Sequence, residues 1–390
     1  MNNFLPYGRH NIREKDIQKV IEVLRSDYLT QGPKVPAFEK AISKKFNVLH
    51  AIASNSATSS LHLACLALGL KENDYFWTSA TTFVASANCG LYCSAKIDFV
   101  DINPNNGLMD IEKLKRKLKK AEIHRKIPKI LIPVHLAGSS CEMKEIYKLS
   151  EKYGFKIIED ASHAVGGSYL NQPIGSCQFS SICIFSFHPV KIITTGEGGI
   201  ATTNSSLLAN KMSQLRSHGI TKDSNNFIYK PDGIWSYEQQ LLGFNYRMND
   251  ISAALGISQL DRLEFIIKER NKLFNNYKEL IKDLPCSLLE IPLNVYSSLH
   301  LAIIRLNNSN PSFHSNIFNG MRSFGIGVQV HYTPVHLQPY YRQFGFKEGD
   351  FPESEKYSKS CFSIPIYPEI TFKDQIFIIN KLESLIYKYK

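Results

Sequence analysis

No run in the sequence reaches the roughly 18 uninterrupted apolar residues that a membrane-spanning helix needs. The most apolar window, Ala51 to Leu70, carries Ser54, Asn55, Ser56, Thr58 and His62, which would be costly in lipid. The opening residues, Met1 to Pro6, lack a basic segment followed by an apolar one, so they do not read as a secretory signal. No pair of cysteines has C-x-x-C spacing. The eight cysteines are Cys65, Cys89, Cys93, Cys141, Cys177, Cys183, Cys286 and Cys361. Their apolar or small neighbours suit reduced, buried thiols, and the expectation is a cytoplasmic protein. Cys89 and Cys93 can share a helix face, but with no second pair nearby they read as packing residues, and no metal site is expected. Internal repeats and low-complexity linkers are also absent.

What is present is an ordinary globular composition. The 390 residues are 43% hydrophobic and 21% charged, which argues against disorder. At roughly 150 residues per domain, two or three domains are expected. Lys plus Arg is 46 against 35 for Asp plus Glu, a formal charge of +11. Such an excess raises nucleic acid or a membrane surface as a partner. Much of it lies in one segment, Lys113 to Lys129, with Lys115, Arg116, Lys117, Lys119, Lys120, Arg125 and Lys126 between. No aromatic is interleaved there, so the segment reads as the solvated face of a peripheral helix rather than a base-stacking surface. Neither nucleic acid nor a membrane is an expected partner.

Helix-like and strand-like segments alternate, which favours an α/β fold. Helices are expected at Ile17–Leu24, Val35–Phe46, Thr82–Cys93 and Met143–Tyr153, and from a cap at Asn55 or Ser56 through Leu68. Strands are expected at His50–Ala53, Phe76–Thr78, Ile97–Val100, Lys129–Val134, Phe155–Ile158, Ser180–Phe187 and Gly198–Thr202. Asn249 to Leu280 reads as one long helix. A domain boundary is placed at its start, giving 1–248 and 249–390. The second part carries expected strands at Ser298–Leu306 and Gly327–His331, and helices near Ser312–Phe324 and Thr371–Tyr387.

Three stretches carry chemistry. Asn55-Ser56-Ala57-Thr58-Ser59-Ser60 puts small residues where a helix begins. Unpaired N–H groups and a partial positive charge there suit a phosphate, and Thr58 can add a hydroxyl. Taken alone, a helix cap without a ligand is the better account, because Ser and Thr caps are common. Phe155 to Ala164 delivers Asp160 at the end of an apolar strand, where open α/β sheets keep their ligands, with His163 close behind. A capping Asp explains the same pattern in isolation. Phe185-Ser186-Phe187-His188-Pro189-Val190-Lys191 leads into Thr194-Thr195-Gly196-Glu197-Gly198-Gly199. A lysine held in a cramped turn is desolvated, which favours an amine able to form a Schiff base. Ser186 can reach the same phosphate as the helix at Ala57. Together the three supply what pyridoxal 5′-phosphate needs: a phosphate cradle, a carboxylate for the ring nitrogen and a lysine for the aldehyde. Phe83 can offer a flat face to the ring, or be a core residue at a helix start.

The order of these motifs resembles the fold-type I sugar-nucleotide aminotransferases, the group of DegT and StrS. Tyr7-Gly8-Arg9, Leu29-Thr30-Gln31-Gly32-Pro33, Asn55 to Ser59, Glu159 to Ala164, Ser186 to Lys191, Thr194 to Gly199, Gly243-Phe244-Asn245-Tyr246-Arg247 and Gln329-Val330-His331-Tyr332 with Pro334 all fall in sequence. The resemblance covers nearly the whole chain. It implies a large mixed-sheet α/β domain that binds pyridoxal phosphate and a smaller C-terminal α/β domain. It implies that Lys191 forms the Schiff base and shuttles the proton. Asp160 would pair with the pyridine nitrogen. Ala57, Thr58 and Ser186 would hold the phosphate, Phe83 would stack on the ring, and His163 would sit beside it. Asn245 would reach the neighbouring subunit's site in a homodimer. Tyr7, the loop Asp27-Tyr28-Leu29-Thr30 and Gln329, Val330, His331 and Tyr332 would line a nucleotide-sugar pocket. The phrases at 27–33, 83–88 and 329–332 are most similar to those of the branch on the route to pseudaminic acid. There L-glutamate gives its amino group to C4 of a UDP-linked 4-keto-6-deoxy sugar, UDP-2-acetamido-2,6-dideoxy-β-L-arabino-hex-4-ulose.

Ile192 stands where many relatives have Pro, and Ser162 where many have Ala or Cys; neither disturbs the register of Lys191 or Asp160. The same chemistry on another 4-keto nucleotide sugar remains open. Dehydratases on this fold replace the Schiff-base lysine, so Lys191 argues against that class. A cofactor-binding regulator would carry an added DNA-binding segment, and none is visible.

Overall fold

The computed structural model describes residues 4–308 and 310–389. The chain opens with α1 (Glu14–Leu24) and α2 (Lys34–Phe46). There follow β1 (His50–Ser54), α3 (Ala57–Ala67), β2 (Tyr75–Ser79), α4 (Val84–Leu91), β3 (Lys96–Val100), α5 (Ile111–Ile123), β4 (Ile130–Ile132), α6 (Met143–Tyr153) and β5 (Lys156–Asp160). Next come the short β6 (Ser168–Tyr169) and β7 (Gln172–Pro173), then β8 (Ile182–Ser186), β9 (Gly199–Thr203) and α7 (Ser206–Arg216). A small hairpin, β10 (Ile220–Thr221) and β11 (Glu238–Gln239), precedes α8 (Asp250–Leu260) and α9 (Leu263–Leu280). The rest holds β12 (Cys286–Leu288), β13 (Val295–Tyr296), β14 (Ala302–Leu306), α10 (Pro311–Ser323), α11 (Pro339–Arg342), α12 (Pro352–Ser358), β15 (Cys361–Ile364) and α13 (Phe372–Tyr389).

Seven strands form one sheet in the order β1-β9-β8-β5-β4-β2-β3. The strands from β8 to β3 run parallel; β9 is antiparallel to both its neighbours, β8 and β1, so β1 runs in the direction of the parallel set. Helices cover both faces, so the strands are apolar on both sides. Ile182 and Ile184 face a core with Leu61, Cys65 and Met212, while Cys183 and Phe185 face Phe38, Phe46 and Ala253. Leu131 and Ile157 pack with Leu114, Leu118 and Ile146 of α5 and α6. A second sheet, β12-β14-β15, is antiparallel and builds its own core with α10, α13 and the far half of α9. The core changes hands within α9: Leu263, Ile266 and Ile267 belong to the large-sheet side, and Leu273, Phe274 and Tyr277 to the small one. The boundary expected at 248/249 falls at the start of α8, which packs on α1 and α2.

The strand expected at Ser298–Leu306 shortens to Ala302–Leu306, and three further segments differ from the sequence expectation. Asn249 to Leu280 is two helices. Arg262 leaves helical dihedrals (φ −104°, ψ 3°), and its guanidinium is held by Asp16 at 2.7 Å and by the Asn11 carbonyl at 3.0 Å. Tertiary pairing there outweighs continuous helix propensity. Gly327–His331 is not a strand: Leu5 bridges Ile326 and Gln329 bridges Ser363, each singly. The segment runs past two edges without a ladder. Lys129–Val134 contracts to the three residues of β4. The basic segment starts within α5, whose Leu114, Leu118 and Ala121 are buried. Several of its charges are paired: Lys113 with Asp101 at 2.8 Å, Lys117 with Asp98 at 2.7 Å and Lys129 with Asp74 at 2.8 Å. Among the described residues no helix is long and apolar enough to cross a membrane.

Candidate active site

A cavity of about 580 Å³ opens at the carboxyl ends of the parallel strands. β5 and β8 are parallel neighbours, so Asp160 at the end of one and Ser186 at the end of the other arrive side by side. Such strand ends are where open α/β sheets hold ligands. Lys191 follows β8 in a tight turn, its N–H bonded to the His188 carbonyl at 2.9 Å. Burial pushes the Lys191 ammonium down to about 8, against the pull of the Asp160 charge. Asp160 is itself fixed: it accepts from the Ser86 hydroxyl and from the Ser162 N–H at 3.0 Å.

The N-terminus of α3 faces the same cavity. Ser56 caps it by accepting from the Ser59 N–H at 3.1 Å. That bond leaves the first N–H groups, of Ala57 and Thr58, without an intrahelical acceptor. β9 crosses directly against this end. A Cβ on Gly199 would lie 2.3 Å from the Ala57 nitrogen, so only glycine lets the strand pass. The Gly243–Arg247 stretch backs the cradle, with the Asn55 N–H bonded to the Tyr246 carbonyl at 2.8 Å.

Of the sequence candidates, Tyr7, Ala57, Thr58, Phe83, Asp160, His163, Ser186, Lys191, Gln329, Val330, His331 and Tyr332 all line the cavity. Asn245 does not; it is exposed and bridges Ser217. Asp27, Tyr28, Leu29 and Thr30 also lie outside it. They sit where Thr30 bridges Asn249 and the Leu29 carbonyl accepts from Asp250. Three contributors have no role in the sequence reading: Ser86 behind Asp160 and Glu197 in the glycine-rich turn, both inside quoted motifs, and His300 at the wall, which no motif includes. Ser86 lies in the first turn of α4, its hydroxyl 2.9 Å from that of Thr82 just before the helix, and nothing local in the sequence ties it to Asp160. His300 comes from just before β14, and nothing local in the sequence marks it. His331 meets Tyr7 edge-on at 5.1 Å, and burial followed by the Lys191 charge pushes its imidazole down to about 3.

The arrangement offers a desolvated amine, a fixed carboxylate across from it and a helix terminus for an anion. Those are the anchoring groups for pyridoxal 5′-phosphate, and the glycine-cleared cradle at Ala57 fits its phosphate. Comparison with known proteins agrees. Residues 10–383 match the DegT/DnrJ/EryC1/StrS aminotransferase family. The chain belongs to that family. As a family member it is a pyridoxal-phosphate-dependent sugar aminotransferase of fold type I, serving nucleotide-sugar biosynthesis. The UDP-4-amino-4,6-dideoxy-N-acetyl-β-L-altrosamine transaminase of Campylobacter jejuni is 38% identical over 99% of this chain and 98% of its own. The spore coat polysaccharide biosynthesis protein SpsC of Bacillus subtilis is 34% identical over 99% and 98%. Among solved structures, PseC of Helicobacter pylori, an aminotransferase of pseudaminic acid biosynthesis, superposes with a TM-score of 0.89 at 29% identity, covering 99% of this chain and all 100% of that one. Spr1654 of Streptococcus pneumoniae in its PLP form gives 0.89 at 26% identity, over 99% and 100%.

Proposed function

We propose that the protein transfers the amino group of L-glutamate to C4 of a UDP-linked 4-keto-6-deoxy sugar, the amination step toward pseudaminic acid. The observation that carries the reading is the cavity itself. The cofactor cradle and the Tyr7 and Gln329–Tyr332 walls meet in one space next to Lys191. The likeness to the Campylobacter jejuni and Helicobacter pylori enzymes supports the choice of sugar. Bound pyridoxal phosphate supplies the electron sink for the exchange. The chain's own groups do the rest. The Ala57 and Thr58 N–H groups and the Ser186 hydroxyl would hold the phosphate. Asp160 would keep the ring nitrogen protonated, and Phe83 would pack against the ring. The Lys191 Nζ, with its depressed proton affinity, would take a proton from the amino-acid carbon in one half-reaction and give one to C4 of the sugar in the other, each time in exchange with the bound cofactor. Asn245 and the 27–30 loop, outside their own cavity, serve the site of a second copy in a homodimer. The setting is the cytoplasm.

A second reading keeps the chemistry and changes the sugar. A UDP-4-amino-4-deoxy-L-arabinose–oxoglutarate aminotransferase of Shewanella sediminis is 32% identical over 99% of both chains. One experiment separates the two. The protein is incubated with L-glutamate and a panel of UDP-, GDP- and dTDP-linked 4-keto sugars, and products are identified by mass and NMR. Amination at C4 of the UDP-linked 2-acetamido-4-keto-6-deoxy sugar is expected. A preference for the 4-keto pentose would favour the second reading, and no amination of any of them would sink both.

A further inference from the structure

His163 makes two hydrogen bonds whose directions follow from the atoms involved. The Ala137 N–H can only donate, and it points at Nδ1 of His163, 3.3 Å away. Nδ1 is therefore an acceptor, and the neutral ring carries its hydrogen on Nε2. Nε2 lies 3.0 Å from the Tyr332 hydroxyl. That bond must then run from Nε2–H to the phenol oxygen, which leaves the phenol's own hydrogen unspent.

The ring has little freedom to reverse this. His300 packs against it with centroids 4.5 Å apart, and the Ser298 hydroxyl holds its backbone carbonyl at 2.9 Å. Ala137 reaches it from a left-handed backbone conformation (φ 59°). Burial pushes the imidazole well below its ordinary range, so it stays neutral. Burial likewise pushes the Tyr332 phenol up, so it keeps its hydrogen. Tyr332 lines the cavity opposite Phe83, with ring centroids 6.1 Å apart.

We infer that Tyr332 is a catalytic hydrogen-bond donor to the carbonyl oxygen of the sugar acceptor, and that His163 is the positioning residue that fixes the direction of that donation. The inference rests on the substrate reading above. A donor preset in this way acts where charge gathers on the departing oxygen, and it costs no reorganisation during the reaction. In the amino-acid half the matching oxygen enters from water only after the proton transfer that changes the cofactor's absorbance, so the rate read there does not depend on it, whereas in the sugar half the oxygen must leave before that transfer.

The test compares the two half-reactions of the holoenzyme by stopped-flow absorbance. L-Glutamate converts the cofactor one way, and the 4-keto sugar converts it back. For Tyr332→Phe, the ratio of the sugar rate to the glutamate rate is expected to fall about 100-fold. Equal losses in both halves would overturn the assignment, because a contact to the cofactor or a general packing defect slows both. A second measurement does not depend on that variant folding. Nitrogen-15 NMR of the histidine-labelled holoenzyme, assigned with His163→Gln, is expected to show His163 neutral with its hydrogen on Nε2 from about pH 6 to pH 8. A hydrogen on Nδ1, or an imidazolium, would also overturn it. Failure of the substrate reading looks different: wild type and Tyr332→Phe would then both convert with glutamate and both leave every 4-keto sugar untouched.

Discussion

Lys191 lies on the turn after β8, within the field of Asp160, and its ammonium loses more hydration than that field returns. Its proton affinity falls from 10.5 to about 8. The sign of the consequence is definite. Desolvation disfavours the charged form, so the neutral amine is reached at a lower pH. Reductive trapping of a small aldehyde on the cofactor-free protein is expected to rise with pH and to reach half its plateau near 8, read by mass spectrometry of the Lys191 peptide. Asp160 pulls in the opposite direction. Asp160→Asn is therefore expected to lower that midpoint further; a midpoint near 10.5, or one that rises in the variant, would contradict the electrostatics. Lys191→Ala is expected to abolish turnover with little change in thermal unfolding, because it removes a cavity-lining amine and no core hydrocarbon. Retained turnover would remove Lys191 from the mechanism.

At the scale of elements, the cradle depends on β9 passing the end of α3 without a side chain. A methyl on Gly199 would meet the Ala57 nitrogen at 2.3 Å and the Ser56 carbonyl carbon at 2.4 Å. Both are backbone atoms and cannot rotate away. Gly199→Ala is expected to cost about 1–3 kcal/mol of stability, as overpacking does elsewhere. It should also weaken cofactor binding at least about tenfold, because the shift displaces the N–H groups that hold the phosphate. Calorimetry and a cofactor titration measure the two; an unchanged affinity would show that the α3 terminus does not carry the phosphate. This element was readable in the sequence because its signals are local. Ser56 caps, Asp160 ends an apolar strand, and Lys191 precedes a glycine turn, each within a few residues. The break between α8 and α9 was not readable, because it depends on Arg262 meeting Asp16 across the chain. The 327–331 segment has strand-like residues, yet no neighbouring strand offers it more than a single bridge. His300 stands beside His163 only because the chain before β14 returns to the large sheet.

The whole chain leaves an apolar surface that one copy does not use. Around the β10–β11 hairpin, Trp235 is 76% exposed and Leu242 is 83% exposed, with Ile228, Tyr229 and Ile234 beside them in sequence. Tyr28 and Leu29 are exposed as well. Solvent-facing apolar residues in such number mark contact surfaces. Asn245 and the 27–30 loop are the sequence candidates absent from their own cavity, and Asn245 follows that hairpin closely. The proposed homodimer would cover these residues with a second copy, and its consequence can be counted. A Lys191→Ala chain keeps its Asn245, and an Asn245→Ala chain keeps its Lys191. A mixed dimer of the two holds one site with both residues intact and one with neither. Random exchange makes half the dimers mixed, so refolding the inactive variants together should restore about a quarter of wild-type activity. Sedimentation should show dimers for each variant alone. Dimers that recover no activity on mixing would mean that each site is complete within its own chain, and the exposed surface would then serve assembly without serving catalysis.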